Sequence, residues 1–344
     1  PQTLYPKNSQ MPMSNEKPQS DLISALRDVT DEKGQMDYPS FVTTTLYAPE
    51  IGYYSTTKTR VGHSPETDFY TAQSLGPIFG QLIVAACESL LGDADSNSYT
   101  FVEIAAEPDK SILQDVEHNF GSTKTIRLFD PLDIPSKAIV FANEWLDAQP
   151  FRRFRFDKSQ GWMERGVEVM ESGLQEIDLH QSGDIPTYLK EISQSTHHDY
   201  LLDLPTGAKE SLVNLCSKEW NGLFLTFDYG LSLEDFTRRR PEGVARSYRG
   251  HRLSSDILAS PGEQDITCHV CWDMLEAVLM DHGFVEVHVE RQESFLLGHA
   301  SSACKGIVTG KVGEFDPDRQ TLMELLHPGN MGAKFQALRG IRAE

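Results

Sequence analysis

Nowhere in this chain do apolar residues run on for the ~20 positions that a membrane-spanning helix needs. Cysteine is scarce and scattered: Cys87, Cys216, Cys268, Cys271 and Cys304 form no disulfide framework, which points to a reducing compartment. Basic residues are also short, 31 Lys and Arg against 51 Asp and Glu, giving a formal charge of -20. That balance argues against binding a phosphate backbone, which needs a basic surface, and is compatible with a cationic substrate. There is no internal repeat, and the only low-complexity stretch is the polar, proline-bearing opening, which predicts a mobile tail over 1–20. What remains is an ordinary globular composition, 39% hydrophobic over 344 residues, enough for one elaborated domain or two.

The first third reads as helical. An amphipathic helix is expected from about Asp21, a second ends near "APEIGYY", and "GPIFGQLIVAACESLLG" carries apolar residues at helical spacing up to a capping Gly92. From Tyr99 the pattern changes to short apolar runs, "YTFVEIA", "AIVFANE" and "GLFLTFDYG", which suit strands of a parallel sheet buried on both faces. Between the first two, "DKSILQDVEHNF" places Ile112, Leu113, Val116 and Phe120 on one helical face and predicts a βα unit. The middle of the chain is therefore α/β. "FRRFRFDKSQGWMERGVEV" reads as a hairpin about "DKSQG" whose arginines line a solvated face, and "WDMLEAVLMDHGFVEVHVE" as a helix stopped near Gly283 and followed by a strand. The expected organisation is a helical region over 21–98, a core over 99–150 and 200–344, and a β-rich insertion over 151–199.

In open α/β sheets ligands bind beyond the carboxyl ends of the strands. Glu103 stands at such an end, either to accept a hydrogen bond from a cofactor or to cap a helix. Asn143, Glu144 and Asp147 follow the buried run "AIVF", where two carboxylates and an amide can hold a cationic nitrogen and one can take its proton, or Asp147 can cap a helix. Asp228, after "GLFLTF", has the same logic of position. "RRRPEGVARSYRGHRL" crowds six arginines into an acidic protein, as a lid or docking loop or as partners for its own carboxylates, and His251 within it could be a general base or a packing side chain. "CHVC" lacks the second ligand pair a zinc site needs.

The order of the blocks "PEIGYYS", "DFYTAQSLGPIFGQL", "FANEWLDAQPFRRF", "FDYG", "ARSYRGHR", "PGEQDITCHVCWDML", "RQESFLLG" and "HPGNMGAKFQAL" resembles the MidA family of class I S-adenosylmethionine (SAM) dependent methyltransferases, in register from about Pro49 to Leu338. The resemblance implies a seven-stranded, Rossmann-like class I methyltransferase sheet with an N-terminal helical region and a β-hairpin insertion. Mitochondrial relatives methylate a protein arginine during assembly of a respiratory complex, so it also implies SAM as cofactor and a protein substrate or assembly partner. The compartment would be the bacterial cytoplasm or the mitochondrial matrix. By the same likeness Asn143, Glu144 and Asp147 form the active-site loop, and Asp68, Phe69 and Thr71 line the cofactor or substrate entrance.

Two departures stand out. The family pattern after the first strand is E-x-G-P-G-x-G-T-L; this chain keeps Glu103 but has Ala105 and Ala106 where glycines let the backbone turn sharply. Alanine at a positive φ costs about 1 kcal/mol or more. Also, "TKTIRLFDP" is followed so soon by "AIVFANE" that a βα unit is missing, and Asp130 serves either as the ribose-binding acid or only as a turn cap. Two readings follow: an active methyltransferase, or a methyltransferase-like scaffold that has lost SAM binding.

Overall fold

The computed structural model describes residues 16–56, 76–106, 110–179, 185–192, 196–310 and 316–343. Helix α1 (Glu16–Asp28), the short strand β1 (Gln35–Asp37) and helix α2 (Tyr38–Tyr47) lead into α3 (Pro77–Leu91), which starts on a proline and ends at Gly92 as the pattern predicts. Then come β2 (Thr100–Ile104), β3 (Ser122–Ile126) and β4 (Lys137–Asn143). The chain continues through β5 (Arg152–Asp157), β6 (Gly161–Met170), β7 (Gly173–Asp178), α4 (Thr187–Ile192) and β8 (Leu201–Leu204). Next are α5 (Thr206–Cys216), β9 (Asn221–Asp228), β10 (Gly230–Leu231), α6 (Leu233–Arg238), β11 (Arg246–Arg249), β12 (Arg252–Ser254), β13 (Asp265–Thr267) and β14 (Val270–Cys271). Helix α7 (Trp272–Asp281), β15 (Val285–Arg291), α8 (Gln292–His299), α9 (Ser301–Thr309), α10 (Pro317–Leu326) and β16 (Gln336–Arg342) complete the order. No helix among the described residues is long and apolar enough to cross a membrane.

The central sheet has the order β15-β16-β9-β4-β2-β3. Strands β3, β2, β4 and β9 are parallel, and β16 runs antiparallel between β9 and β15. This is the α/β class I methyltransferase arrangement that the sequence predicts. Among the described residues it has six strands rather than the expected seven: β3 passes to β4 through residues 127–136 without an intervening helix, where the family's outermost βα unit is expected.

Alternation along the strands feeds two layers. Phe101, Ile139, Phe141, Leu223, Leu225 and Phe227 pack with α3, α8, α9 and α10 on one face. Val102, Ile104, Val140, Ala142, Phe224 and Leu338 pack with α5 and α7 on the other. Apolar residues on both faces explain why these strands read as continuous runs.

The helix predicted over 109–120 does not form in its described part, residues 110–120. Residues 112–115 make turns, with the Gln114 amide on the Ser111 carbonyl and the Val116 amide on the Leu113 carbonyl, and the rest is irregular. The four side chains of its expected apolar face are nonetheless buried. Helix α3 lies close against this segment: a β-carbon on Gly80 would stand 2.2 Å from the Ile112 carbonyl oxygen and 3.0 Å from Val116 Cγ2.

Strands β5, β6 and β7 form an antiparallel sheet with β1 and β8, which lie outside 151–199, in the order β1-β6-β5-β8 with β7 on β6, and the β5–β6 hairpin turns over 158–160 as predicted. Its arginines are not a solvated face. Arg153 is buried and holds Asp203 at 2.6 Å and Glu176 at 3.0 Å, Arg152 holds Glu164, and Arg155 and Arg165 share Asp178. A third core joins this sheet to the N-terminal helices through Leu26, Phe41, Leu46, Phe151, Phe154 and Trp162.

Candidate active site

Three neighbouring parallel strands are each followed by a non-glycine residue in the left-handed region: Ala105 (φ 57) after β2, Phe129 (φ 73) after β3 and Glu144 (φ 51) after β4. Such backbone is costly for L-residues and gathers where function holds it in place. All three lie at the carboxyl edge of the sheet.

At β2, Glu103 is buried and turned inward. Its Oε2 accepts from the Ser111 hydroxyl at 2.8 Å and the Ile112 amide at 2.9 Å, so it pins the far side of the loop that Ala105 opens. Ala106 is also buried. Beyond β3, Asp130 is exposed and accepts from the Arg127 amide at 2.9 Å, the turn-capping geometry.

The end of β4 gathers the acids. The Glu144 amide donates to the Phe227 carbonyl at 2.9 Å, tying this end to that of β9. Asn143 donates through Nδ2 to Glu144 Oε1 at 2.9 Å, while its Oδ1 is buried with no hydrogen-bond partner among the described residues. Asp228, fully buried, accepts from the Leu146 amide at 2.9 Å and the Tyr229 amide at 3.1 Å. Burial, with Glu144 close by, pushes its carboxyl up to about 8. Asp147 is 4% exposed, and burial together with Asp228 and Asp265 holds its carboxyl well above the usual range. No cationic side chain stands against Asp147 or Asp228 among the described residues. Two buried carboxylates without a cation keep a proton or take up an incoming positive charge.

Asn143, Glu144, Asp147 and Asp228 are thus brought together. His251 is not: it lies exposed in the turn between β11 and β12, with φ 60. Asp68, Phe69 and Thr71 lie outside the described residues. In the arginine loop, Arg239 pairs with Glu234 and Asp235, and Arg249 with Glu263 at 2.7 Å. A cleft of about 260 Å³ beside Arg238 is lined by Thr196, His197, Tyr200 and Thr237, and shares no residue with the acid cluster.

Sequence reasoning missed four residues here. Asp265, buried, accepts from the Tyr54 hydroxyl at 2.9 Å, Tyr47 donates to the Ala148 carbonyl at 2.6 Å, and Tyr248 faces Asp265 across the β11–β13 ladder. The only available signal was an acid inside the short buried strand "DIT". In "CHVC", Cys268 and Cys271 are buried thiols, the second pushed up to about 12 by burial. His269 between them stacks on Tyr229 and is held down to about 4 by burial and by Arg240 and Arg246. Among the described residues no cluster is placed to hold a metal.

Two solved structures from Burkholderia thailandensis share this fold. One, a COG1565 superfamily member bound to S-adenosyl-homocysteine, aligns with a TM-score of 0.84 at 21% identity, covering 97% of this chain and 95% of the other. The second, a native crystal structure of a protein of the same superfamily, aligns at 0.78 and 20% identity with the same coverage. No curated protein matches the chain. The family described as "Putative S-adenosyl-L-methionine-dependent methyltransferase" matches residues 80–289, more than half of the sequence, and the chain belongs to that family.

Proposed function

We propose that the chain binds SAM and transfers its methyl group to an arginine side chain of a protein, as the MidA-type methyltransferases it resembles do. The observation that carries this reading is the buried pair Asp147 and Asp228, without a cation, at the edge of a methyltransferase sheet. The residues fit the cofactor. Ala105 adopts the left-handed backbone that a glycine would give, Glu103 fixes the loop, and the orphan Oδ1 of Asn143 is an acceptor in want of an N–H donor. When bound, SAM supplies an electrophilic methyl group on a positively charged sulfur.

Glu103 and the Ala105 turn would hold the cofactor's amino-acid end, with Asn143 beside it. Glu144 and Asp147 would orient the acceptor guanidinium, whose in-plane donors match carboxylates. Methylation releases a proton, and Asp228, poised near 8, is a group that can bind or give one up at neutral pH. Acceptor affinity should therefore rise with pH through about 8, as the carboxylates ionise. A protein substrate in a reducing compartment accords with the five free cysteines.

That no helix lies between β2 and β3 among the described residues favours a second reading, a methyltransferase-like scaffold that docks a partner without binding SAM. Calorimetric titration with SAM and S-adenosylhomocysteine separates the two. Micromolar binding is expected; silence up to millimolar ligand leaves the scaffold. Glu144→Gln should abolish methyl transfer to arginine-bearing proteins while S-adenosylhomocysteine affinity stays within about twofold, since the lost charge faces the acceptor. Transfer at the wild-type rate would remove Glu144 from the mechanism.

A further inference from the structure

The arginine run that the acid cluster does not use borders the cleft beside Arg238. Two segments bound that cleft and meet at Tyr200: residues 196–200, which lead into β8, and the end of α6. The buried Tyr200 donates its hydroxyl to the Phe236 carbonyl at 2.8 Å and accepts from the Arg240 amide at 2.9 Å. Thr237, also buried, donates to the Leu233 carbonyl at 2.8 Å, so these two side chains make a fixed wall. The exposed lining side chains able to bind an anion are those of Arg238 and His197, and neither has an ion pair or side-chain hydrogen bond among the described residues. Their neighbours differ. Arg239 pairs with Glu234 and Asp235, and the arginines of the inserted sheet are all paired. The acids closest along the chain are committed elsewhere, Asp235 to Arg239 at 3.3 Å and Asp199 to Arg155 at 2.9 Å. No carboxylate is among the described residues lining the cleft, in a chain with 51 acids against 31 bases. An arginine solvated on an open surface needs no partner, but one that walls a concave site, with the nearby acids committed, presents its donors to what enters.

We propose that this cleft is an oxyanion site, taking a phosphoryl or carboxylate group between the Arg238 guanidinium and the His197 ring. The guanidinium offers a fork of donors that matches two oxygens of either group, and the imidazole adds an N–H from the other segment. The volume of about 260 Å³ falls just below the roughly 300–1,000 Å³ of pockets for drug-sized ligands, which fits a small anion or the charged end of a longer molecule. A phosphoryl group carries more charge and more acceptor oxygens than a carboxylate, and is the tighter ligand of the two. The site shares no residue with the acid cluster and does not depend on methyl transfer.

The test titrates the full chain with inorganic phosphate and with acetate, at constant ionic strength set by sodium chloride, followed by ligand-observed NMR. Wild type should bind phosphate in the millimolar range and more tightly than acetate. Arg238→Gln should weaken phosphate about tenfold, the worth of one charge-assisted hydrogen bond, and His197→Gln about threefold. Arg252→Gln removes the same charge from an exposed arginine outside the cleft, and should leave phosphate affinity within about twofold of wild type. Melting temperatures and S-adenosylhomocysteine affinity should stay unchanged in all three variants, since these side chains are exposed and lie apart from the acid cluster. Acetate binding tighter than phosphate, and lost in Arg238→Gln, keeps the site and assigns it to carboxylates. Equal losses in Arg238→Gln and Arg252→Gln would mean that the anions sense only net charge, which overturns the site. Silence of both anions, or full affinity in Arg238→Gln, overturns it as well.

Discussion

Ala105 holds a backbone conformation that its β-carbon disfavours, and Glu103 keeps it there by pinning Ser111 and Ile112. Ala105→Gly should raise stability in urea denaturation by about 1 kcal/mol, because relief of the left-handed strain outweighs the added freedom of the unfolded chain. A loss of stability would mean that the alanine methyl is packed rather than strained. Asp228 gives a pH signature. With its folded value near 8 and its unfolded value near an ordinary ~3.9, the folded chain holds a proton that the unfolded chain does not across that interval. Its contribution to stability therefore falls as pH rises from about 4 to 8, and Asp228→Asn should flatten that slope between pH 5 and 8 in chemical denaturation. At this scale the sequence showed the acids but not their partners. Glu103, Asn143, Glu144, Asp147 and Asp228 stand out because an acid or amide ending an apolar run is conspicuous. Asp265 and the tyrosines escaped because what brings them to the site is contact between segments up to 211 positions apart, as for Tyr54 and Asp265.

Among the elements, the buried parallel strands were plain because residues packed on both faces leave unbroken apolar runs. The helix expected over 109–120 does not form in its described part: four buried side chains at helical spacing are supplied by an irregular segment instead, packed where Gly80 of α3 meets the Ile112 carbonyl. The arginines of β5 were read as solvated because their acids lie on β6, β7 and β8, and the pairing that unites them is tertiary. Asp203 is fully buried and accepts from Arg153 and from the amides of Val244 and Ala245. Asp203→Ala should cost about 3–5 kcal/mol, since it strands a buried guanidinium, and a thermal melt compared with wild type checks it. A loss below about 1 kcal/mol would show that Arg153 finds water when Asp203 is gone.

At the scale of the whole molecule, the two layers about the central sheet and the third core beneath the inserted sheet are distinct clusters. Hydrogen exchange should accordingly show β5, β6 and β8 protected together with α2, as a unit separate from β2, β4 and β9. Exchange of all these strands at one common rate would mean that the cores open only together. One feature of the sheet also bears on how the chain is made. Among the described residues β15 pairs only with β16, and β16 fills the place between β15 and β9. On the ribosome, the nascent sheet must wait with β9 as an open flank and β15 unpaired until Gln336 onward has emerged, so this stretch is the keystone whose late arrival makes the earlier strands vulnerable to holdase capture or to pairing with the wrong chain.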